Sequence, residues 1–227
     1  MQNKIEKYED MMIKNYYKSS DEYESSDECS ISSDEVDYEE GECDFKGEIL
    51  NDRYAIIFKI GSGSYSSVWL SYDIEDKKMY AIKIQFSGDY QEGIEEVKFM
   101  KSISKHPCDN INIILESFVV IKQKQKYLCM KFELMAGSLF DIVAQGKYSD
   151  GLSYDIVRSI TKQIVMGLDV IHNSMNCIHA DLKPENILFT GVSIKLREII
   201  DEFMEKDFHS IYSDLRNKYI KSKDLYI

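Results

Sequence analysis

The 227-residue chain has no apolar run approaching the roughly 20 residues that a membrane-spanning helix needs. Its start, Met1-Gln2-Asn3-Lys4-Ile5-Glu6, lacks the apolar core of a signal peptide. Both absences predict an intracellular protein, cytoplasmic or nuclear, with no membrane partner. Cysteine is sparse: Cys29, Cys43, Cys108, Cys129 and Cys177 are odd in number, widely spaced and free of any Cys-x-x-Cys pair, which argues against a disulfide framework and against a zinc site. Basic clusters are also missing. Beyond the first 48 residues the lysines are scattered among acids, so no nucleic-acid footprint is expected. Arginine is scarce, 4 residues against 24 lysines, and with the many Ile and Asn this fits an AT-rich genome such as that of a parasite or large virus, whose compartment would be the host cell.

What the chain does carry is acid, and unevenly. The net charge is -12, of which residues 1–48 supply -11 through sixteen acidic and five basic side chains. Residues 1–46 are rich in Ser, Asp, Glu and Tyr and poor in branched aliphatics, so they cannot bury enough apolar area to offset ordering, and a disordered tail is expected. Ser-Ser-Asp-Glu occurs in it three times, at 19–22, 25–28 and 32–35. Each copy is open to an acid-directed kinase, and phosphorylation would deepen the charge. A plain solvating tail accounts for the same composition.

From Tyr54 short β-branched and aromatic runs alternate with turn signals. Tyr54–Ile60 and Val68–Tyr72 predict a hairpin around Gly61-Ser62-Gly63-Ser64-Tyr65-Ser66-Ser67. Glycines at 61 and 63 let backbone amides approach a polyphosphate closely. Met79-Tyr80-Ala81-Ile82-Lys83-Ile84 reads as an alternating strand carrying one lysine, and residues 90–102 read as a helix with Ile94, Val97, Phe99 and Met100 as its apolar positions. Strands at 113–121 and 127–133 complete a five-stranded antiparallel sheet. A helical region follows, beginning with 138–144 and continuing in a long helix over 152–173 capped by Ser153, whose Ile156, Ile160, Ile164, Leu168 and Ile171 form a core stripe.

Ile178-His179-Ala180-Asp181-Leu182-Lys183-Pro184-Glu185-Asn186-Ile187-Leu188 then brings together an acid, an amine and an amide at the spacing used in phosphoryl transfer. With this His-x-Asp-x-Lys-Pro-Glu-Asn motif the chain resembles the eukaryotic-type serine/threonine protein kinases. It is most similar to the SR-protein kinases in its approach Gly47–Tyr54, in Ser66 where a third Gly is usual, in Val68-Trp69-Leu70, and in a catalytic loop without the usual Arg, here Ala180.

The resemblance implies an α+β, protein-kinase-like fold: a five-stranded antiparallel N-lobe with one helix, plus a truncated helical C-lobe. The expected organisation is an acidic tail (1–46), an N-lobe (47–133), the start of a C-lobe with the catalytic loop (134–190), and a helical insert-like segment (191–227). It implies ATP and Mg2+ as cofactors. Asp181 would be the base, Lys183 would face the transferred phosphate, and Asn186 would hold the metal. Ile60, Gly61, Ser62, Gly63, Ser64, Tyr65, Ser66, Ser67 and Val68 would cover the nucleotide. Ala81 and Lys83 would line its site, Lys83 paired with Glu96 in preference to the neighbours Glu92 and Glu95. Glu133 and Met135 would form the hinge; Phe132 lies behind the adenine ring or is ordinary core. Ala180 removes the cationic end of an activation-loop phosphate switch, so control by that route is not expected.

The implied partners are ATP and a protein substrate, Arg-Ser-rich by analogy. Where kinases follow this point with a short strand and Asp-Phe-Gly, the sequence has Ile194-Lys195-Leu196, strand-like, and then Arg197-Glu198-Ile199-Ile200. Asp207-Phe208-His209 comes too late. Residues 192–220 instead show helical spacing, with Ile199, Ile200, Phe203, Met204, Phe208, Ile211 and Leu215. The expectation is therefore a chain ending before that motif, either a kinase whose missing C-lobe half comes from a partner, or an inactive nucleotide-binding or scaffolding remnant.

Overall fold

The structure is a computed structural model, and it describes residues 43–144, 148, 150–206, 208–210 and 213. The three Ser-Ser-Asp-Glu copies, Asp207, Ile211 and Leu215 lie outside the described residues. The described chain divides into two compact units, one of residues 43–107, 112–134 and 195 onward, the other of residues 108–111 and 135–194.

The first unit is built on a six-stranded antiparallel sheet: β1 (Ile49–Leu50), β2 (Tyr54–Ser62), β3 (Ser66–Asp73), β4 (Lys78–Gln85), β5 (Glu116–Lys122) and β6 (Gln125–Glu133), in the order β1-β2-β3-β4-β6-β5. The five expected strands are all present, and the two-residue β1 is added at an edge. Its signal is too short to carry an alternation of its own. β5 starts at Glu116, three residues later than the apolar pattern from Ile113 suggests.

Alternation sets the two faces of this sheet. Tyr54, Ile56, Trp69, Ile82, Ile84, Tyr127 and Cys129 point to one side and close a core with Phe45 and Leu50. Phe45 meets Trp69 and Tyr127 edge-on, at ring-centroid distances of 6.2 and 5.2 Å. On the opposite face the register pairs Tyr72 with Met79, Leu70 with Ala81 and Val68 with Lys83. Helix α1 (Tyr90–Ile103) packs Val97, Ile94 and Met100 against Leu128 and Met130 on this face. Phe132 packs into the same cluster, so it has a core role here. Gly93 makes the approach possible, because a Cβ there would stand 3.0 Å from both Gln85 Cγ and Leu128 Cδ2.

A buried ionic network ties the strands together. Asp73 is fully buried and takes a bidentate contact from Arg53 (Nε to Oδ1 2.8 Å, Nη2 to Oδ2 2.7 Å), a 2.6 Å bond from Lys131 Nζ, and backbone N–H bonds from Glu75 and Asp76. Burial by itself would raise the Asp73 carboxyl, but these donors outweigh it and hold the group well below the usual carboxylate range. Lys131 lies 3.7 Å from the Tyr80 ring centroid. Every charge in the network has a partner, the condition under which buried ions are tolerated.

Helix α4 (Ile194–Lys206) lies within the segment 192–220 expected to be helical, and its first turn takes in the strand-like triplet Ile194–Leu196. Its Leu196 and Phe203 are buried, and Phe203 packs with Ala55 and Tyr72 beside Ile57, Ile74 and Met79. Amphipathic spacing wins over the short apolar triplet because the helix buries an entire stripe, where a three-residue strand would bury one or two side chains.

In the second unit, β7 (Met135–Ser138) pairs with β8 (Leu188–Thr190), joined by α2 (Leu139–Ala144) and α3 (Tyr154–Asp169). Ser138 and Asp141 form a reciprocal cap: the Ser138 N–H donates to Asp141 Oδ2 at 2.8 Å and the Asp141 N–H to Ser138 Oγ at 3.2 Å. Ser153 stands at the N-cap of α3 but makes no side-chain capping bond there. The predicted long helix ends its α-form at Asp169 and finishes in a π-helical turn, Val170–Ser174. Ile156 and Ile160 form the core with Tyr148, and Ile164, Ile187 and Phe189 pack against them.

Candidate active site

In the first unit the site is a strand, a loop and a helix. Lys83 sits in β4 and Glu96 one turn beyond Gly93 in α1; Lys83 Nζ donates to Glu96 Oε1 at 2.6 Å and to Oε2 at 2.7 Å. Glu95 is occupied elsewhere, accepting from Lys98 at 2.6 Å on the exposed side of the helix. The structure thus joins Lys83 to the carboxylate favoured in the sequence. Val68 and Ala81 lie on the same sheet face as Lys83.

The glycine-bearing hairpin spans the end of β2 and the start of β3, closed by the Gly63 N–H donating to Ser66 O at 2.9 Å. Neither Gly61 nor Gly63 has a positive φ. A Cβ at Gly61 would meet Val68 at 3.7 Å and one at Gly63 would meet Ser66 O at 3.9 Å, both ordinary contacts. The fold itself therefore does not require glycine at either position. Ser62, Gly63, Ser64 and Tyr65 are exposed, while Ile60, Gly61, Ser66 and Val68 are half-buried. Ser67 departs from the nucleotide-covering expectation: its side chain is buried and its Oγ accepts the Trp69 indole N–H at 2.8 Å, so only its backbone is left to face a ligand. Alternation explains the difference, since Ser67 and Trp69 share the face opposite Val68. Glu133 ends β6 as an exposed residue.

In the second unit Met135 opens β7, half-buried and paired with Thr190. The loop between α3 and β8 brings Asp181, Lys183 and Asn186 together. Asn186 Nδ2 donates to the Asp181 carbonyl at 2.8 Å and to its Oδ2 at 2.9 Å, and Lys183 Nζ lies 3.2 Å from the same Oδ2. The contact with Lys183, reinforced by Asn186, holds the Asp181 carboxyl below its ordinary value, so it is ionised at neutral pH. The loop is anchored from below: Pro184–Asn186 forms a 3-10 turn, the Leu139 N–H donates to Ile187 O at 2.8 Å, and Ile187 and Phe189 enter the core. Ala180 adopts φ 59°, a left-handed conformation that an L-residue with a Cβ rarely takes.

With both amide protons of Asn186 committed to Asp181, its Oδ1 is the acceptor left for a cation. No group of three or more His, Cys, Asp or Glu side chains suited to a metal occurs among the described residues. An all-oxygen set of one or two protein ligands fits magnesium, which takes few protein ligands and completes its shell with phosphate and water. Sequence reasoning missed the Arg53–Asp73–Lys131 network, because its members lie 20 and 58 residues apart and no local pattern links them.

The protein kinase domain family matches residues 54–201, and the chain belongs to that family. Among curated proteins, it is 34% identical over 213 residues to one named as a serine/threonine-protein kinase of Acanthamoeba polyphaga mimivirus, covering 89% of this chain and 39% of that protein. It is 32% identical over 166 residues to human SRSF protein kinase 3, covering 70% of this chain and 29% of that one. A crystal structure of a kinase domain matches with a TM-score of 0.58 at 28% identity, over 64% of this chain and 42% of that chain. The chain thus spans well under half the length of these relatives. No helix among the described residues is long and apolar enough to cross a membrane.

Proposed function

We propose that the chain is an ATP-dependent serine/threonine protein kinase, moving the γ-phosphoryl group of ATP to a protein hydroxyl. The observation that carries this reading is the grip of both Glu96 carboxylate oxygens on Lys83 Nζ, which fixes an amine on the sheet face shared with Val68 and Ala81. Magnesium-ATP, when bound, supplies the electrophilic phosphoryl group and part of the charge neutralisation. Lys83 holds phosphate oxygens. The backbone from Ile60 to Val68 covers them, and the absence of any folding need for glycine at 61 and 63 is accounted for by that close approach. Asp181 takes the proton of the substrate hydroxyl on Oδ1, the oxygen not bonded to Asn186 or Lys183. Lys183 stabilises the transferring group, and Asn186 Oδ1 ligates the cation. Glu133 and Met135 offer backbone groups to the adenine edge.

Similarity to a protein named SRSF protein kinase 3 supports SR-type protein substrates and an intracellular site of action. Val165 and Met166 on α3 are 57% and 50% exposed, and we assign their cover to further helical-lobe residues, in cis or from a partner.

One observation favours a second reading, a nucleotide-binding or scaffolding protein without transfer. After β8 only residues 191–193 precede α4, so the segment that follows the catalytic loop supplies no Asp-Phe-Gly carboxylate. Labelled-phosphate transfer from magnesium-ATP to an Arg-Ser peptide and to a generic basic protein separates the two. Transfer by the 227-residue chain that disappears in Asp181→Asn supports the enzyme. No transfer, with ATP still raising Tm, selects the binding protein.

A further inference from the structure

The β5–β6 hairpin turns on two residues with positive φ, Gln123 at 51° and Lys124 at 66°. Two-residue hairpin turns of this hand favour Asn-Gly, because Cβ-bearing residues pay a steric cost there. A sequence that accepts this cost places Lys122, Lys124 and Lys126 at the tip, the last two exposed. Lys122 is already engaged by the start of the described chain: its Nζ donates to the Asp44 carbonyl and the Glu48 carboxylate and lies 4.7 Å from the Phe45 ring centroid. The first described residues therefore lie beside this basic tip. Next to it a cavity of about 250 Å³ is lined by the apolar Phe45, Ile49, Leu50, Val119, Val120 and Ile121 together with Glu48, Asn51 and Lys122. Ile121 is 72% and Val119 44% exposed.

The chain immediately upstream is chemically suited to this surface. Residues 34–42, Asp-Glu-Val-Asp-Tyr-Glu-Glu-Gly-Glu, hold six acids and no base, with Val36 and Tyr38 alternating around Asp37. We propose that residues 34–42 dock in cis on the Lys124 and Lys126 tip of the β5–β6 hairpin and the mixed polar and apolar groove beside it. Tethering makes the encounter intramolecular, so a modest attraction suffices for high occupancy. At an ionic strength of about 0.1 M the carboxylates and the Lys124 and Lys126 ammonium groups attract over a Debye length of roughly 10 Å, and at salt on the order of 1 M that length falls to about 3 Å. The docked segment covers the exposed β5 side chains and occupies a basic surface otherwise open to anionic partners. Phosphate on Ser32 or Ser33, next to the segment, strengthens the same contact.

Zero-length carbodiimide coupling on the full chain, using mixed isotopically light and heavy copies, tests this directly. The expected result is amide links between acids of residues 34–42 and Lys124 or Lys126 within one copy, lost at high salt. Light–heavy links at the statistical share of about one half would make the occupant a second copy, and links spread equally to other exposed lysines such as Lys98 and Lys105 would mean no docking; either outcome overturns the proposal. A Lys124→Glu/Lys126→Glu chain gives an independent readout. Its hydrodynamic radius should exceed the wild type's at low salt and match it at high salt, whereas equal radii at low salt would refute the contact.

Discussion

Glu96 holds Lys83 with both carboxylate oxygens, at 2.6 and 2.7 Å, while each side chain keeps a quarter to a third of its surface exposed. That combination separates the pair's contribution to stability from its contribution to ligand binding. Partly exposed ion pairs contribute about 0–1 kcal/mol to folding. Glu96→Gln should therefore leave the unliganded Tm nearly unchanged. It should also reduce the rise in Tm produced by ATP, since the amine loses the partner that orients it. Thermal denaturation with and without magnesium-ATP checks both. An undiminished ATP response would place the nucleotide away from Lys83.

The glycine hairpin makes a complementary prediction. Gly→Ala at a position whose φ an alanine can adopt stabilises by about 0.4–1 kcal/mol through the unfolded state. Gly63 has no positive φ, and a Cβ there would approach nothing closer than 3.9 Å. Gly63→Ala should thus hold or raise Tm while weakening nucleotide affinity, measured by titration calorimetry. A fall in both would mean that the fold depends on this glycine after all.

Asp73 predicts a pH dependence. Its carboxyl titrates below the unfolded value of about 3.9, because Arg53 and Lys131 favour the ionised form despite burial. The folded state therefore binds fewer protons at this site than the unfolded one. The resulting stabilisation is complete above the unfolded pKa and is lost as pH falls below it toward the folded value. Urea melts from neutral pH down to about pH 3 should show this decline. Asp73→Asn should lower stability at neutral pH by about 1.5–3 kcal/mol, because Arg53 and Lys131 lose their buried carboxylate and keep only Glu75, Asp76 and Glu116 as acidic partners, and should flatten the acid limb. An equally steep limb in the variant would assign the acid sensitivity to other carboxylates.

The contrast between these sites explains what could be read from the residues alone. Lys83, Asp181 and Asn186 stand in short contiguous motifs, and the resemblance implies Glu96 as the partner of Lys83 through the Val97-Lys98-Phe99-Met100 run that follows it. Asp73 and Lys131 are joined only by the pairing of β3, β4 and β6, information that no window of sequence contains. The direction of the Ser67 side chain is not legible from a loop read as one surface, whereas the strand beginning at Ser66 already alternates and turns that hydroxyl toward Trp69. Ile194–Leu196 by itself looks strand-like because three residues cannot distinguish a period of 2 from one of 3.6, and only the longer helical spacing over 192–220 makes it a helix. The partner that decides it, the surface made by Ala55 and Tyr72, lies more than a hundred residues upstream.

That docking surface carries the last prediction. Phe203 is only 3% exposed and its ring centroid lies 6.1 Å from that of Tyr72, whose strand also carries Val68 on the same face. Truncating a buried Phe costs about 3–5 kcal/mol through lost transfer energy and the cavity left behind. Phe203→Ala should destabilise the sheet unit by that amount. The neighbouring exposed position Glu202→Ala should cost little, since its 2.8 Å bond to Lys206 is a solvent-exposed helix pair. If α4 were an independent appendage, Phe203→Ala would leave the main unfolding transition where it is. Because the helix seals one end of the sheet face that bears Lys83, the loss should instead appear in that transition. It should be accompanied by faster amide exchange in β2 and β3, and slow exchange in both strands of the variant would show that the helix contributes nothing to holding them.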